Sequence, residues 1–536
     1  MADLNRLNYY VRSYELDLPR TADYFQWEPQ LVPHEYGPFS MHTGIFDAQM
    51  TSRDWCIVGD TTTDEYVLLG AVTAFRSFTY FTAMRDQGLF RHVLVCQPEI
   101  ADGEAPEEVV ALRGNDWRKL LKEYASRVAG RMSAVVPDTS SNSIGYCSWY
   151  YYYHNVTEQQ FLANLDAIAA NRESFPAKYI QIDDGYHSCQ GDWLSPHPNW
   201  PSPLGDVVKR INDAGFEAGV WTMPFLAATS SMVYRDHQDW FVKDFGGEPL
   251  VVEGWSPAPD NGWACLDASN PEVLDHIRSI YTSFYDMGFR YFKLDGVGLS
   301  APVGKRSSSG ETGLSAFRKG MSAIRDAVKD SIILGCGAIL PTIGFVDHCR
   351  VSTDTAVRWQ SWSLPSTDVP AEVDKTEPAN PFLPALENAL KISLSHWWMY
   401  DVYFRADPDV IMARQNNTEL TLGEARMSAL LSILTGVAFT SDKLDEVTDE
   451  RLRLLKLASE LRVRDAMPVD WKQKSSPNVY EGMLGDKRAV AIFNLSDAAT
   501  TYDLPDGALT ELLHPLGTIE GPLHLSSHDA ALIVEG

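Results

Sequence analysis

The chain has 536 residues, 45% of them apolar, and a formal net charge of −27 from 72 Asp and Glu against 45 Lys and Arg. That length exceeds one ordinary core and asks for two or three globular domains. The acidity leaves no basic face to neutralise phosphates, so no nucleic-acid partner is expected. No run reaches the ~18 apolar residues of a membrane span, which excludes a membrane partner of that kind. The opening stretch Met1-Ala2-Asp3-Leu4-Asn5-Arg6 carries charge where a secretory signal would be apolar. The seven cysteines, Cys56, Cys96, Cys147, Cys189, Cys265, Cys336 and Cys349, are scattered and form no Cys-x-x-Cys pair. Both features point to a cytoplasmic protein.

Residues 1–135 carry β-type runs such as Trp55-Cys56-Ile57-Val58, Tyr66-Val67-Leu68-Leu69 and His92-Val93-Leu94-Val95, broken by Gly, Asp and Thr turns. An N-terminal β-sandwich domain is expected there, followed by a helix from Trp117 to Gly130 and a polar connector at 137–143. From 136 to 455 the pattern alternates. Eight short apolar runs, at 144–149, 178–183, 217–222, 290–295, 331–335, 349–353, 397–402 and 436–440, are separated by amphipathic stretches. One of these places Val273, Ile277, Ile280 and Phe284 behind the helix start Asn270-Pro271-Glu272. Eight such alternations predict an α/β fold, a (β/α)8 TIM barrel, and no Gly-x-Gly-x-x-Gly or Gly-Lys-Ser/Thr loop supports nucleotide binding. The connections over 223–270 and 362–384 are overlong, as befits loops that build a pocket at a barrel's mouth. Residues 456–536 return to short β runs such as Arg488-Ala489-Val490-Ala491-Ile492-Phe493, which predict a small C-terminal β domain.

A buried parallel strand should be almost wholly apolar, so an acid at its end marks the place where the strand leaves the core and faces the site. Asp183 and Asp184 end one run, Asp295 ends Tyr291-Phe292-Lys293-Leu294, and Asp354 follows Arg350-Val351-Ser352-Thr353. Several carboxylates on one rim repel one another unless a function requires them. Glycoside hydrolysis requires two: one ionised against the anomeric carbon, one protonated beside the leaving oxygen, roughly 5–5.5 Å apart in retaining enzymes and roughly 6.5–9.5 Å in inverting ones. Lys293 shares the strand face of Asp295 and would keep it ionised, and Arg350 could act similarly towards the substrate near Asp354.

Five ordered motifs carry a resemblance: Gln181-Ile182-Asp183-Asp184-Gly185-Tyr186, Gly219-Val220-Trp221-Thr222-Met223-Pro224, the stretch from Asp239-Trp240 to Leu266-Asp267, Tyr291-Phe292-Lys293-Leu294-Asp295, and Ala406-Asp407-Pro408-Asp409. Over about residues 144–445 the chain resembles the α-galactosidases of glycoside hydrolase family 36, a family related to family 27. The resemblance implies that Asp295 is the catalytic nucleophile and Asp354 the general acid/base. It also implies that Asp183 and Asp184 grip hydroxyls of a galactosyl ring, that Lys293 and Arg350 bind further hydroxyls, and that Trp221 and Trp149 line the pocket. Cys336, at the end of the fifth run, joins the substrate-binding set. Asp407 and Asp409 would close the site from behind by hydrogen-bonding its cations or hydroxyls, or else serve as an acidic helix cap.

The implied function is a retaining, exo-acting α-galactosidase working by double displacement on small oligosaccharides. Two rivals keep the machinery: a transferase of the raffinose-synthase type, and a glycosidase for α-N-acetylgalactosaminides or β-L-arabinopyranosides. The second arises because Gly296-Val297-Gly298 follows Asp295 where the family has a polar pair, and because the fifth strand turns through Gly337-Ala338. A non-catalytic carbohydrate-binding barrel would need neither acid. His187-Ser188-Cys189 and Asp347-His348-Cys349 lack the spacing of a zinc site, so no metal and no cofactor is expected, and no Gly-x-Ser-x-Gly elbow exists. Relatives in the family are often multimers, which leaves a homo-oligomer open.

Overall fold

The computed structural model of the chain describes residues 9–15, 45–46, 49–60, 63–86, 89–101, 103–135, 139–253, 262–360, 384–470, 477–504, 507, 509–514, 517–519 and 521–536. All but the last residue of the connection at 362–384 lies outside the described residues. So do 254–261 of the connection at 223–270, 137–138 of the connector, and the first eight residues.

Among the described residues the apolar runs form a closed ring of parallel strands. These are β1 (Ser143–Cys147), β2 (Tyr179–Ile182), β3 (Glu217–Thr222), β4 (Phe289–Leu294), β5 (Ile332–Cys336), β6 (His348–Arg350), β7 (Arg405–Asp407) and β8 (Val437–Thr440). Each pairs with the next as far as β7; Val410–Ile411, two residues beyond β7, pairs with β8, and β8 returns to β1. The helices that follow the strands are α1 (Glu158–Ala170), α2 (Leu204–Asp213), α3 (Pro271–Met287), α4 (Gly313–Val328), α5 (Ile339–Thr342), α6 (Leu386–Ser395), α7 (Leu422–Thr435) and α8 (Asp449–Glu460). The expected (β/α)8 barrel is what the chain forms.

Local chemistry explains the elements. In α3, Asn270 caps the Glu272 amide, Pro271 occupies the first turn, Gly288 ends the helix at φ 107°, and Val273, Ile277, Ile280, Tyr281 and Phe284 form its buried stripe. Reciprocal capping boxes start α1 at Thr157 and Gln160 and α7 at Thr421 and Glu424. Inside the ring lies an aromatic layer: Tyr179 and Tyr291 have ring centroids 4.9 Å apart, and Phe439 lies 5.2 Å from Tyr291. Position 145 must be glycine, because a Cβ there would come within 2.4 Å of the Phe439 ring.

The seventh strand is not where the apolar pattern predicts it. Trp397–Met399, within the expected run at 397–402, is a 3₁₀ turn. Its rings pack outward, Trp398 at 5.3 Å from Trp55 and Trp397 at 6.5 Å from Trp117. The actual strand is the charged segment Arg405–Asp407, broken by Pro408 and resumed at Val410–Ile411. Asp407 and Asp409 thus belong to the barrel wall rather than to a segment after it.

The N-terminal runs form two facing sheets. One holds Tyr9–Glu15, Leu89–Pro98, Tyr80–Asp86, Gln49–Arg53 and Ile45–Phe46, the other Trp55–Asp60, Glu65–Ala71 and Val109–Gly114. Cys56, Val58, Val67, Leu69, Phe81, Val93 and Val95 fill the space between them. The expected helix is Trp117–Met132, capped by Asp116. At the C-terminal end a six-stranded sheet and a two-stranded sheet enclose Val490, Ile492, Tyr502, Leu523 and Ile533. Asp529 joins this part to the barrel, taking Arg426 of α7 at 2.8 and 2.9 Å.

Candidate active site

The strand ends converge on one mouth. Asp183 directly follows β2 and is 1% exposed. Its Oδ2 accepts Lys293 Nζ at 2.9 Å, Gln181 Nε2 at 2.5 Å and the Cys147 thiol at 3.2 Å, while its amide donates to Ser148 Oγ at 3.0 Å. Its Oδ1 takes the Asp184 amide at 2.9 Å. The chain can make this bend because Gly185 adopts φ 111°, with the His154 carbonyl only 2.6 Å from where a Cβ would stand. Asp184 faces His187 Nε2 at 2.9 Å. His187 stacks at 6.0 Å on Trp221, and Trp193 meets Trp221 edge-on at 5.8 Å.

Burial alone would expel the Lys293 proton, but the Asp183 carboxylate reverses this and holds the ammonium well above its usual range. This is a buried pair, and removing one partner leaves the other charge uncompensated. Lys293→Met is therefore expected to lower stability by about 3–5 kcal/mol. Adding Asp183→Asn should recover most of that loss, because the pair acts as one unit. Denaturant unfolding of the two variants checks it; an additive double variant would show that the pair is not coupled.

Asp295 follows β4. Its Oδ2 accepts Trp221 Nε1 at 3.2 Å and its Oδ1 accepts the Gly296 amide at 2.8 Å, while its own amide is tied to the Thr222 carbonyl at 2.8 Å. Cys336 ends β5 opposite Arg350 of β6, and Arg350 pairs with Asp407 of β7. Arg350 Nη2 meets Asp354 Oδ1 at 2.5 Å and its Nη1 meets Asp409 Oδ2 at 3.4 Å. Partial burial pushes the Asp354 carboxyl up to about 6; Arg350 opposes this, while Asp409 and Asp295 add to it. Burial, reinforced by Asp409, likewise lifts Asp407 to about 6. The Cys336 thiol is driven up by burial, a neutral group beside these charges.

The structure thus brings Asp183, Asp184, Trp221, Lys293, Asp295, Cys336, Arg350 and Asp354 to the ends of β2 to β6. Trp149 begins the segment after β1, half-buried and edge-on to Tyr153 at 5.3 Å. The contact from that segment to the acids behind the mouth comes instead from its neighbour Tyr150, whose hydroxyl donates to Asp409. Tyr150 escaped the sequence reading, which took Gln181 only as part of a motif and His187 only as a rejected metal ligand. Tyr150 had one signal, its position in an aromatic run immediately past a strand end, where barrel sites are built.

A parallel eight-stranded barrel whose mouth holds paired carboxylates, two cations and a tryptophan wall defines the class: a barrel with the architecture of carbohydrate-active enzymes. The comparisons then place it more closely. Residues 120–328 match the Melibiase family model. A galactosaminidase of Flavonifractor plautii, named for A-type blood α-D-galactosamine, is 28% identical over 165 residues, 30% of this chain and 15% of that protein. α-Galactosidase 1 of Pediococcus pentosaceus is 26% identical over 122 residues, 22% of this chain and 16% of that protein. The chain thus aligns with about a sixth of the length of these curated relatives. Among solved structures, the α-galactosidase of Thermus thermophilus in complex with p-nitrophenyl α-D-galactopyranoside superposes with a TM-score of 0.68 at 22% identity, covering 91% of this chain and 95% of that one. The family 36 α-galactosidase AgaA of Geobacillus stearothermophilus gives a TM-score of 0.60 at 13% identity, covering 98% of this chain and 71% of that one. The resemblance to the α-galactosidases of glycoside hydrolase family 36 is borne out, and with it the expected fold.

Among the described residues no helix is long and apolar enough to cross a membrane.

Proposed function

We propose that the protein is a retaining, exo-acting α-galactosidase that removes terminal α-galactosyl residues from small oligosaccharides. The observation that carries this reading is the contrast between two carboxyl groups at one mouth. Asp354 is pushed up to about 6, where it can carry a proton to a leaving oxygen. Asp295 accepts two hydrogen bonds from Trp221 and Gly296, which suits an ionised nucleophile. Two titratable groups with divergent environments mark an acid and a nucleophile.

In this reading Asp295 attacks the anomeric carbon while Asp354 protonates the departing oxygen. Asp354 then draws the proton from the water that releases the sugar. Asp183, Asp184, Lys293 and Arg350 orient the ring through its hydroxyls, since charged groups make the stronger and more directional bonds. Trp221 offers an apolar face for the ring and Trp149 borders the pocket, while Cys336 contacts the sugar as a neutral thiol. A cytoplasmic setting, supported by seven free cysteines, means that the oligosaccharides are imported first.

A second reading changes only the sugar. The match to a galactosaminidase and the apolar turn Cys336-Gly337-Ala338-Ile339 favour a substituent at the sugar's 2-position. Hydrolysis of p-nitrophenyl α-D-galactopyranoside beside the N-acetylgalactosaminide and β-L-arabinopyranoside decides. Turnover of the galactoside with α-galactose released first, followed by NMR, is the expected result. Silence on galactose with turnover of an analogue would transfer the assignment to that sugar.

A further inference from the structure

Behind the candidate acid stands a buried carboxylate that neither step of the proposed reaction uses. Pro408 interrupts the seventh strand, and Asp409 follows it at φ 69°. Aspartate enters this left-handed region more readily than most residues, and such conformations gather at functional sites. The turn aims the Asp409 side chain inward, where it is 4% exposed. Its Oδ2 accepts the Tyr150 hydroxyl and the Thr355 amide, the latter at 2.9 Å, and meets Arg350 Nη1 at 3.4 Å. Thr355 is the residue after Asp354, and the same Arg350 meets Asp354 through Nη2. Asp409 therefore holds both the backbone that carries Asp354 and the cation that pairs with it.

The support extends further back. Tyr150 is 2% exposed, and its carbonyl accepts Arg414 Nη2 at 2.7 Å. Arg414 is paired at 3.0 Å with Asp442, just past β8, and both side chains are almost fully buried. A continuous polar line thus runs from Asp442 through Arg414, Tyr150, Asp409 and Arg350 to Asp354.

We propose that Asp409, held by Tyr150, is a positioning residue for the general acid/base: it shares Arg350 with Asp354 and fixes the Thr355 amide, so that Asp354 keeps its proton and its aim. The inference rests on the assignment of Asp354 as acid/base. A carboxylate that owned the whole guanidinium would stay ionised and make a poor acid. A second carboxylate on the same fork divides that attraction and adds repulsion. The groups facing Asp354 are the cations Arg350 and Lys293, the anions Asp409 and Asp295, and the phenols Tyr150 and Tyr153. Asp407 faces Asp409 in turn, accepting its amide at 3.1 Å. Neutralising Asp409 leaves two cations against one anion, and Asp354 then releases its proton more easily.

The test is Asp409→Asn with Tyr150→Phe as the smaller change, each checked for native circular dichroism and compared with Asp354→Ala. Two substrates are used: melibiose, whose sugar leaving group needs protonation, and p-nitrophenyl α-galactoside, whose phenol leaves with little help. Asp409→Asn should lose roughly 10–100-fold in kcat/KM on melibiose, part of the range that acid catalysis supplies, and only about threefold or less in kcat/KM on the phenyl galactoside, since kcat/KM reports the step in which the leaving group departs. The alkaline limb of its pH profile should move to lower pH by about half to one unit. Tyr150→Phe should show the same substrate split with a smaller loss. Equal losses on both substrates with an unmoved limb would overturn the positioning role while leaving the acid in place, provided that Asp354→Ala shows the split. If Asp354→Ala shows no split, the acid assignment and this inference fall together.

Discussion

Replacing Asp295 by glycine should lower hydrolysis by about 10⁴–10⁶-fold, the range seen when a covalent nucleophile is lost, and added azide should restore part of the turnover. The reason is geometric. Asp295 sits at the open end of β4, with its carboxylate oriented by the Trp221 indole and the Gly296 amide and its backbone pinned to Thr222. Glycine deletes the carboxylate and leaves this cradle, so a small anion can enter where the carboxylate stood. Attack from that face of an α-galactoside yields the β-galactosyl azide, a product of inverted configuration. Its anomeric coupling in the NMR spectrum is the readout. Wild-type turnover in the variant, or rescue giving the α-azide, would sink the assignment of Asp295.

How much of this was readable beforehand differs between fold and site. The barrel was legible because its strands are buried on both faces and so appear as compact apolar runs ending in acids. Ile180 and Ile182 before Asp183, and Phe292 and Leu294 before Asp295, are each 0% exposed. The seventh strand was not legible, and for the converse reason. Trp397-Trp398-Met399 is as apolar as any strand, yet it buries itself against Trp55, Trp117 and Tyr124 outside the ring. A short apolar run cannot reveal which core it enters, and the genuine strand is disguised by Arg405, Asp407 and Pro408. Along the site, acids at strand ends announce themselves through local sequence. The link from Tyr150 to Asp409 spans 259 positions and exists only because the ring closes, which no local pattern encodes. The same holds for the Asp183 pairing with Lys293 across 110 positions, although each partner had been singled out alone.

Replacing Asp354 by alanine should divide substrates according to their leaving groups. The general acid contributes about 10²–10⁴-fold where the leaving oxygen needs a proton, so melibiose hydrolysis should fall by that factor. The first step on an activated aryl galactoside should be nearly spared, and the glycosyl-enzyme then accumulates because no base activates water. Azide needs no base, so it should speed turnover of the aryl substrate and give the α-galactosyl azide, the configuration opposite to that from Asp295→Gly. The pH dependence carries the sign. The Asp354 carboxyl is lifted to about 6, and the acid acts only while protonated. In the wild type kcat/KM should therefore decline above about pH 6, approaching tenfold per unit well beyond it, and Asp354→Ala should lose that alkaline limb. A limb that persists unchanged in the alanine variant would assign the proton to another group, with Asp407, likewise lifted to about 6 by burial and by Asp409, as the first to test. The paired stereochemistry makes the two assignments independent of one another. A nucleophile removed from one face and an acid/base removed from the other must yield azides of opposite configuration, an outcome that a general loss of structure cannot produce.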